Sequence, residues 1–164
     1  MALVFMTNSY LEDADAFLSG NPDWEAADLE TQEQALIDAT SLLDQKPWGG
    51  TAVSASQPLA WYRASASFFD PTLNLSVPVQ DDEVPVRVQK ATANLALHLI
   101  RYPEVITDPY GQTFNSIKVG PIALENGQTG SRAPKPAKIP LQVMNLIEPL
   151  LDNGHSRLGW WRAN

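Results

Sequence analysis

The sequence predicts a mainly α-helical protein, a small helical bundle with an inserted β-hairpin and an extended C-terminal tail. Three observations support this fold class. Apolar residues recur at helical spacing in four segments, and one later segment alternates apolar and polar residues around a Gly–Pro pair. The last twelve residues carry no helical pattern. At 164 residues, the chain has the length of one domain.

The first half of the chain predicts two helices and a loop. The first helix is expected to begin at Ser9, because Glu12 follows at the capping-box spacing. The second should run from about Asp28 to about Gln45. Residues 51–82 show no sustained period. Within them, residues 57–63 are expected to form an ordered loop pinned by aromatic side chains, and residues 77–79 an extended piece. The apolar stripe predicted for the second helix consists of Leu29, Leu36, Ala39 and Leu43.

The strongest predicted helix runs from Val84 or Pro85 to about Arg101. Proline suits the first turn of a helix, where its missing amide is not needed. This segment is apolar on most of its circumference, so we expect it at the centre of the bundle. A last helix begins after Pro140, and Pro149 should kink or end it, because proline cannot donate the next helical hydrogen bond.

Residues 116–125 predict the hairpin, because they alternate around Gly120 and Pro121. We therefore expect a single domain over 1–164 with three parts. The parts are a helical core at about 9–103 plus 139–152, a hairpin and linker at 104–138, and a C-terminal arm at 153–164.

Composition argues against several classes of function. The chain has no cysteine, so neither a disulfide framework nor a thiolate zinc site can form. Of its two histidines, His98 lies on a polar helical stripe and His155 in the tail, and neither belongs to a catalytic motif. We expect no enzyme, no catalytic residue, no metal and no cofactor. No apolar run is long enough to cross a membrane.

Charge is unevenly distributed along the chain, whose net charge is −8. The first 45 residues hold ten carboxylates and no lysine or arginine, whereas residues 130–164 hold five cations against two carboxylates. Such a distribution suits a subunit that packs its tail on a neighbour's front. Solvated acidic helix faces would explain it equally well.

Two tripeptides place tryptophan beside arginine, as single-strand-binding proteins do. They are Trp61-Tyr62-Arg63 and Trp160-Trp161-Arg162. The acidic net charge argues against a nucleic-acid surface. We expect Trp24, Trp48 and Trp61 to anchor loops at the core edge, and the terminal pair to dock on another protein. The candidate interface residues are Lys118, Arg132, Arg157, Trp160, Trp161 and Arg162.

Three regions resemble the phage head–tail adaptor (connector) family. They are the helix at Ser9-Tyr-Leu11 with the helix over 33–40, the strand over 116–122, and the closing helix over 140–151. The resemblance implies a structural neck protein that forms a homo-oligomeric ring, a dodecamer, beneath the portal. Its partners would be the portal protein and a tail or neck completion protein, with DNA passing through the lumen without sequence-specific binding. Its location would be the head–tail junction of the virion, and the host cytoplasm during assembly.

The front half is also similar to phage proteins labelled DnaT-like, after a replication protein that binds single-stranded DNA. The residues that carry this similarity are Trp48-Gly-Gly, Gln57-Pro-Leu-Ala-Trp61 and the helix start over 84–91. The alternative function is thus a single-stranded-DNA-binding replication accessory. It implies salt-sensitive binding that depends on Trp61, Arg63 or the tail.

Overall fold

Six helices and three two-stranded antiparallel sheets make up the part of the chain described by the computed structural model, residues 7–70, 72–107, 116–119, 122–125 and 138–152. The helices are α1 (Leu11–Leu18), α2 (Pro22–Glu25), α3 (Leu29–Asp44), α4 (Val86–Arg101), α5 (Glu104–Thr107) and α6 (Leu141–Ile147), the last followed by a 3-10 turn at Glu148–Leu150. The strands are β1 (Thr51–Ala52), β2 (Arg63–Ala64), β3 (Ser67–Asp70), β4 (Leu75–Pro78), β5 (Ser116–Val119) and β6 (Ile122–Glu125). The predicted mainly helical fold is confirmed.

Helix α4 is the centre of the bundle, as predicted. Helices α1, α2, α3, α5 and α6 all pack against it. It begins at Val86 with Pro85 at the N-cap, close to the predicted start. A helix covered on several sides buries residues around most of its circumference. Its buried residues are Val88, Ala91, Thr92, Ala93, Leu95, Ala96, Leu97 and Leu99.

Helix α3 matches the predicted second helix except at its first residue. The Asp28 side chain accepts a hydrogen bond from the amide of Thr31 at 2.8 Å, which caps the helix. Hydrogen bonds from the Thr31 side chain and from the Thr31 amide lower the pKa of Asp28. Leu36 is buried, but Leu29 is 57% exposed, so its place in the apolar stripe was predicted wrongly. Leu29 is the first residue of the helix, and the buried residues of α3 begin only at Ala35.

The predicted capping box of the first helix does not form. Helix α1 begins at Leu11, and its N-cap is Tyr10, with no side-chain cap. Ser9 is buried, and its hydroxyl donates to the carbonyl of Tyr10 at 3.3 Å. The backbone N–H of the neighbouring Asn8 donates to Thr40 Oγ1 at 3.1 Å. This tertiary contact with α3 fixes the chain before the helix, so the local capping pattern does not decide where the helix starts.

The stretch without a sustained period, residues 51–82, contains two short antiparallel strand pairs. Strand β1 pairs with β2, and β3 with β4, both antiparallel. The extended piece near Val77 is part of β4, as expected, whereas β3 had no sequence signal. The predicted hairpin is confirmed, with Ser116 opposite Glu125 and Val119 opposite Ile122. Its Gly120–Pro121 pair lies outside the described residues, as does the predicted arm over 153–164.

The end of the described chain is joined to the turn after α3. Helix α6 ends at Ile147, and Pro149 lies in the 3-10 turn that follows, as predicted. The amide of Gly49 donates to the carbonyl of Leu150 at 2.8 Å, and the amide of Asp152 donates to Pro47 O at 2.7 Å. These two hydrogen bonds, from positions about 100 residues apart, tie α6 to the helical body.

Candidate nucleic-acid interface

Arg63, a phosphate ligand in the DNA-binding alternative, is bonded into the fold. Its Nε donates to the carbonyl oxygen of Gly49 at 2.7 Å, and Nη1 donates to that of Ala60 at 3.1 Å. Nη2 donates to the carbonyls of Gly50 at 2.9 Å and Trp48 at 3.3 Å. Partial burial also lowers the pKa of Arg63 below its ordinary value. The guanidinium joins two loops, and its donors are directed at backbone rather than at solvent.

The tryptophans that the structure describes are core anchors, as predicted. Trp24, Trp48 and Trp61 are between 2% and 5% exposed. Trp24 Nε1 donates to Asp15 Oδ1 at 2.8 Å, and Trp48 Nε1 donates to the carbonyl of Leu43 at 3.0 Å. The rings of Trp48 and Trp61 meet edge to face, with centroids 5.4 Å apart. Side chains this buried cannot act as surface platforms for stacked bases.

Tyr62 is the side chain of the 61–63 tripeptide that faces solvent. It is 43% exposed, between buried Trp61 and bonded Arg63. Tyr10 is 51% exposed on the segment that leads into α1. The sequence analysis treated the tripeptide as one unit and did not predict that Tyr62 is exposed while Trp61 is buried. The two exposed tyrosines are the aromatic groups near this loop that a base could reach.

Two of the three arginine and lysine side chains of α4 lie over aromatic rings. The guanidinium carbon of Arg87 is 5.2 Å from the ring centroid of Phe68. Lys90 Nζ is 5.5 Å from the ring centroid of Phe17. These cation–π contacts hold the two side chains against the body. They direct the Arg87 charge toward β3 and the Lys90 charge toward α1.

The C-terminal end of α4 is also engaged. Arg101 Nε forms a salt bridge with Asp23, and its Nη2 donates to Asn21 Oδ1 at 3.3 Å. The rings of His98 and Tyr102 have centroids 5.0 Å apart. Arg101, the last cation of α4, thus links this helix to α2 and to the residue before it.

Charge sets the helical body apart from the rest of the chain. Residues 1–103 carry five lysines and arginines against fourteen carboxylates. Residues 104–164 carry six cations against five carboxylates, and four of those cations lie in 130–157. Since a single strand is bound largely through its phosphates, the body by itself is a poor surface for DNA.

Five of the six candidate interface residues lie outside the residues that the structure describes. Lys118 is in β5, in register with Ala123 of β6. Arg132, Arg157, Trp160, Trp161 and Arg162 fall outside the described residues. The prediction for these positions stays a prediction.

Metal binding and membrane crossing find no support in the described ranges. Within them, no three His, Cys, Asp or Glu side chains come together in a cluster that could hold a metal ion. Over the same residues, no helix has the length and apolar character needed to cross a membrane.

Comparison with known proteins identifies the family. The model of the family described as "Putative DnaT-like ssDNA binding protein" matches residues 3–162. The chain therefore belongs to this DnaT-like family, whose description names a binding activity and no reaction. No curated protein and no solved structure matches the chain.

The head–tail adaptor prediction was wrong. The family match covers nearly the whole chain, including the three regions on which the adaptor resemblance depended. Those regions are helix starts, a Gly–Pro strand and a closing helix, which are local elements common to unrelated small helical proteins. They do not distinguish a neck protein from a DNA-binding protein. The same finding overturns the expectations that depended on that prediction. These are the portal and neck-completion partners, the dodecameric ring with a DNA-conducting lumen, and the place in the virion.

Proposed function

We propose that this protein binds single-stranded DNA through the basic and aromatic residues of its C-terminal third. The observation that carries the proposal is the DnaT-like family match over residues 3–162. The fold supports this location, because Arg63 and Trp61 are engaged within the body and residues 1–103 are strongly acidic. Of the residues on which the DNA-binding alternative depends, those of the tail are therefore the remaining candidates for contact with DNA.

The proposed contacts are of two kinds. Trp160 and Trp161 would stack on bases, an interaction that contributes about 1–3 kcal/mol per base and tolerates any sequence. The cations would neutralise phosphates, which makes affinity fall as salt rises, with a slope of about −0.7 per neutralised phosphate in a single strand. The proposed phosphate ligands are Lys118, Arg132, Arg157 and Arg162.

We infer a division of labour along the chain. The helical core, about 9–103 plus 139–152, serves as a scaffold, and the segments over 104–138 and 153–164 meet the DNA. On this proposal the protein acts by binding rather than by catalysis, and it works in the cytoplasm, where single strands are exposed during replication.

Fluorescence anisotropy with labelled 20-nucleotide strands tests the proposal. The wild type should bind single strands more tightly than a duplex of the same length, with affinity that falls on a log–log plot against NaCl. The double variant Trp160→Ala/Trp161→Ala should lose affinity without a change in slope. Arg157→Ala/Arg162→Ala should make the slope shallower by about 1.4, the share of two phosphates.

Lys90→Ala is the matched control, because it removes an exposed cation from the acidic body. It should leave both affinity and slope close to the wild type. Absence of binding at low salt, or equal loss in the control and the tail variants, contradicts the proposal.

A further inference from the structure

A cavity of about 360 Å³ lies between residues 7–10, the 57–62 loop and the entry to α4. This volume is at the lower end of the about 300–1,000 Å³ that small-molecule sites occupy. Three aromatic rings, three side-chain amides and two carboxylates contribute to its walls. The groups that bear on a ligand belong to Asn8, Tyr10, Trp61, Tyr62, Asp82 and Glu83.

Two residues that line this cavity each carry a buried polar atom without a partner. Across the described part of the chain, Asn8 Oδ1 and Trp61 Nε1 are the buried side-chain polar atoms without a hydrogen bond. Asn8 is 2% exposed and Trp61 is 3% exposed. An unpaired buried polar group is costly, so two of them on residues that line one cavity point to a ligand that satisfies both.

The chemistry of the two atoms is complementary. Trp61 Nε1 can only donate, and Asn8 Oδ1 can only accept. The orientation of the Asn8 amide is fixed, because Nδ2 donates to Asp44 Oδ1 at 3.3 Å and an inverted amide would set two oxygens against each other. The matching ligand therefore presents both an acceptor and a donor.

The loop that carries Trp61 is held in place before any ligand arrives. Gln57 Nε2 donates to the carbonyls of Leu59 at 2.7 Å and Tyr62 at 3.1 Å. Its Oε1 accepts from the amide of Ser54 at 3.1 Å. A wall fixed in this way binds with little further loss of conformational freedom.

We propose that this cavity receives one unpaired nucleobase of the bound strand, an inference that rests on the proposed function. Every base has a donor next to an acceptor on its pairing edge, and such edges are read in pockets that also stack the base on aromatic rings. Tyr10 and Tyr62 are exposed at the cavity and supply those rings. Asp82 and Glu83 repel phosphate but accept from an exocyclic amino group, so cytosine and adenine fit better than thymine.

Two-dimensional NMR of the indole N–H groups provides the test. The Trp61 signal is assigned by its disappearance in Trp61→Phe, and it should move downfield when a 20-nucleotide strand of deoxycytidine is added. The strand of thymidine should shift it less and bind less tightly in anisotropy measurements. Tyr62→Ala should weaken the deoxycytidine strand about fivefold or more, the loss expected for one stacked base, and should reduce the preference over thymidine.

Lys46→Ala, a substitution outside the cavity, is the control for nonspecific effects on binding. If the strands bind while the Trp61 signal stays in place and no base preference is seen, the cavity proposal fails and the proposed function stands. If neither strand binds at low salt, both fail. A change in the thermal midpoint of Tyr62→Ala separates loss of fold from loss of stacking.

Discussion

Replacing Arg63 tests whether the Trp61-Tyr62-Arg63 motif serves the fold or the phosphates of DNA. Its guanidinium donates to four backbone carbonyls. A hydrogen bond to a charged group contributes about 1.5–3 kcal/mol. Water replaces part of this at a half-buried site, so Arg63→Ala should lower the free energy of unfolding by about 3 kcal/mol in all. In a protein of this size that corresponds to a fall of about 6–12 °C in Tm.

Arg63→Lys sharpens the test, because lysine keeps the charge but lacks the planar fork that reaches several carbonyls at once. Both variants should lower Tm in a circular-dichroism melt, whereas Lys90→Ala should lose no more than about 1 kcal/mol, the value of an exposed cation–π contact. DNA affinity is then compared at a temperature at which all variants are folded. Arg63→Ala, Arg63→Lys and Lys90→Ala should bind DNA with similar affinity. The reasoning is refuted if Arg63→Lys melts like the wild type while Arg63→Ala loses more DNA affinity than Lys90→Ala does.

Two further predictions concern Asp44 and Gly50. Burial raises the pKa of Asp44, so its charged form destabilises the fold above that raised pKa. Asp44→Asn should therefore be more stable than the wild type in urea unfolding at pH 8. The gain in the free energy of unfolding should vanish as the pH falls to 3.8, the ordinary pKa of an aspartate. A difference that stays constant with pH would contradict burial of the charge as the cause. Gly50 has φ +71°, and a Cβ there would lie 2.5 Å from the carbonyl oxygen of Ala64, so Gly50→Ala should cost about 2–4 kcal/mol in strain and clash. Gly20→Ala is the control: with φ +79° and nothing within 4 Å, it should cost only about 1–2 kcal/mol, and an equal loss in both would exclude the clash.

The sequence predicted the long helices well, because periodic apolar residues report a helix that is covered on one or more sides. Helix α4 is the clearest case. Leu29 fits the same pattern but is exposed. Periodicity shows which face of a helix is apolar, but not which turns of that face are covered by neighbouring elements. Strands of two to four residues carry too few positions for a period, so β1, β2 and β3 were missed.

The site was less predictable than the fold, because its contacts join distant positions. Asn8 meets Thr40 and Asp44 across 32 and 36 residues, and nothing near Asn8 in the sequence marks it as buried. Arg63 meets carbonyls 13 to 15 residues away, where the chain turns at Trp48-Gly-Gly. A motif of adjacent residues showed the types of side chain present, but not which of them face solvent.

Helix α6 separates the two segments that we propose to hold the DNA. Together with its 3-10 turn it spans residues 141–150, and the hydrogen bonds from Gly49 and to Pro47 fix its far end to the body. Ten residues of helix measure about 15 Å, so Lys138, where the basic segment ends, and Asp152, which precedes the arm, lie on either side of a short helix. Two weak contacts tethered at such a separation act at effective concentrations in the millimolar range, so a strand released by one is recaptured by the other before it diffuses away.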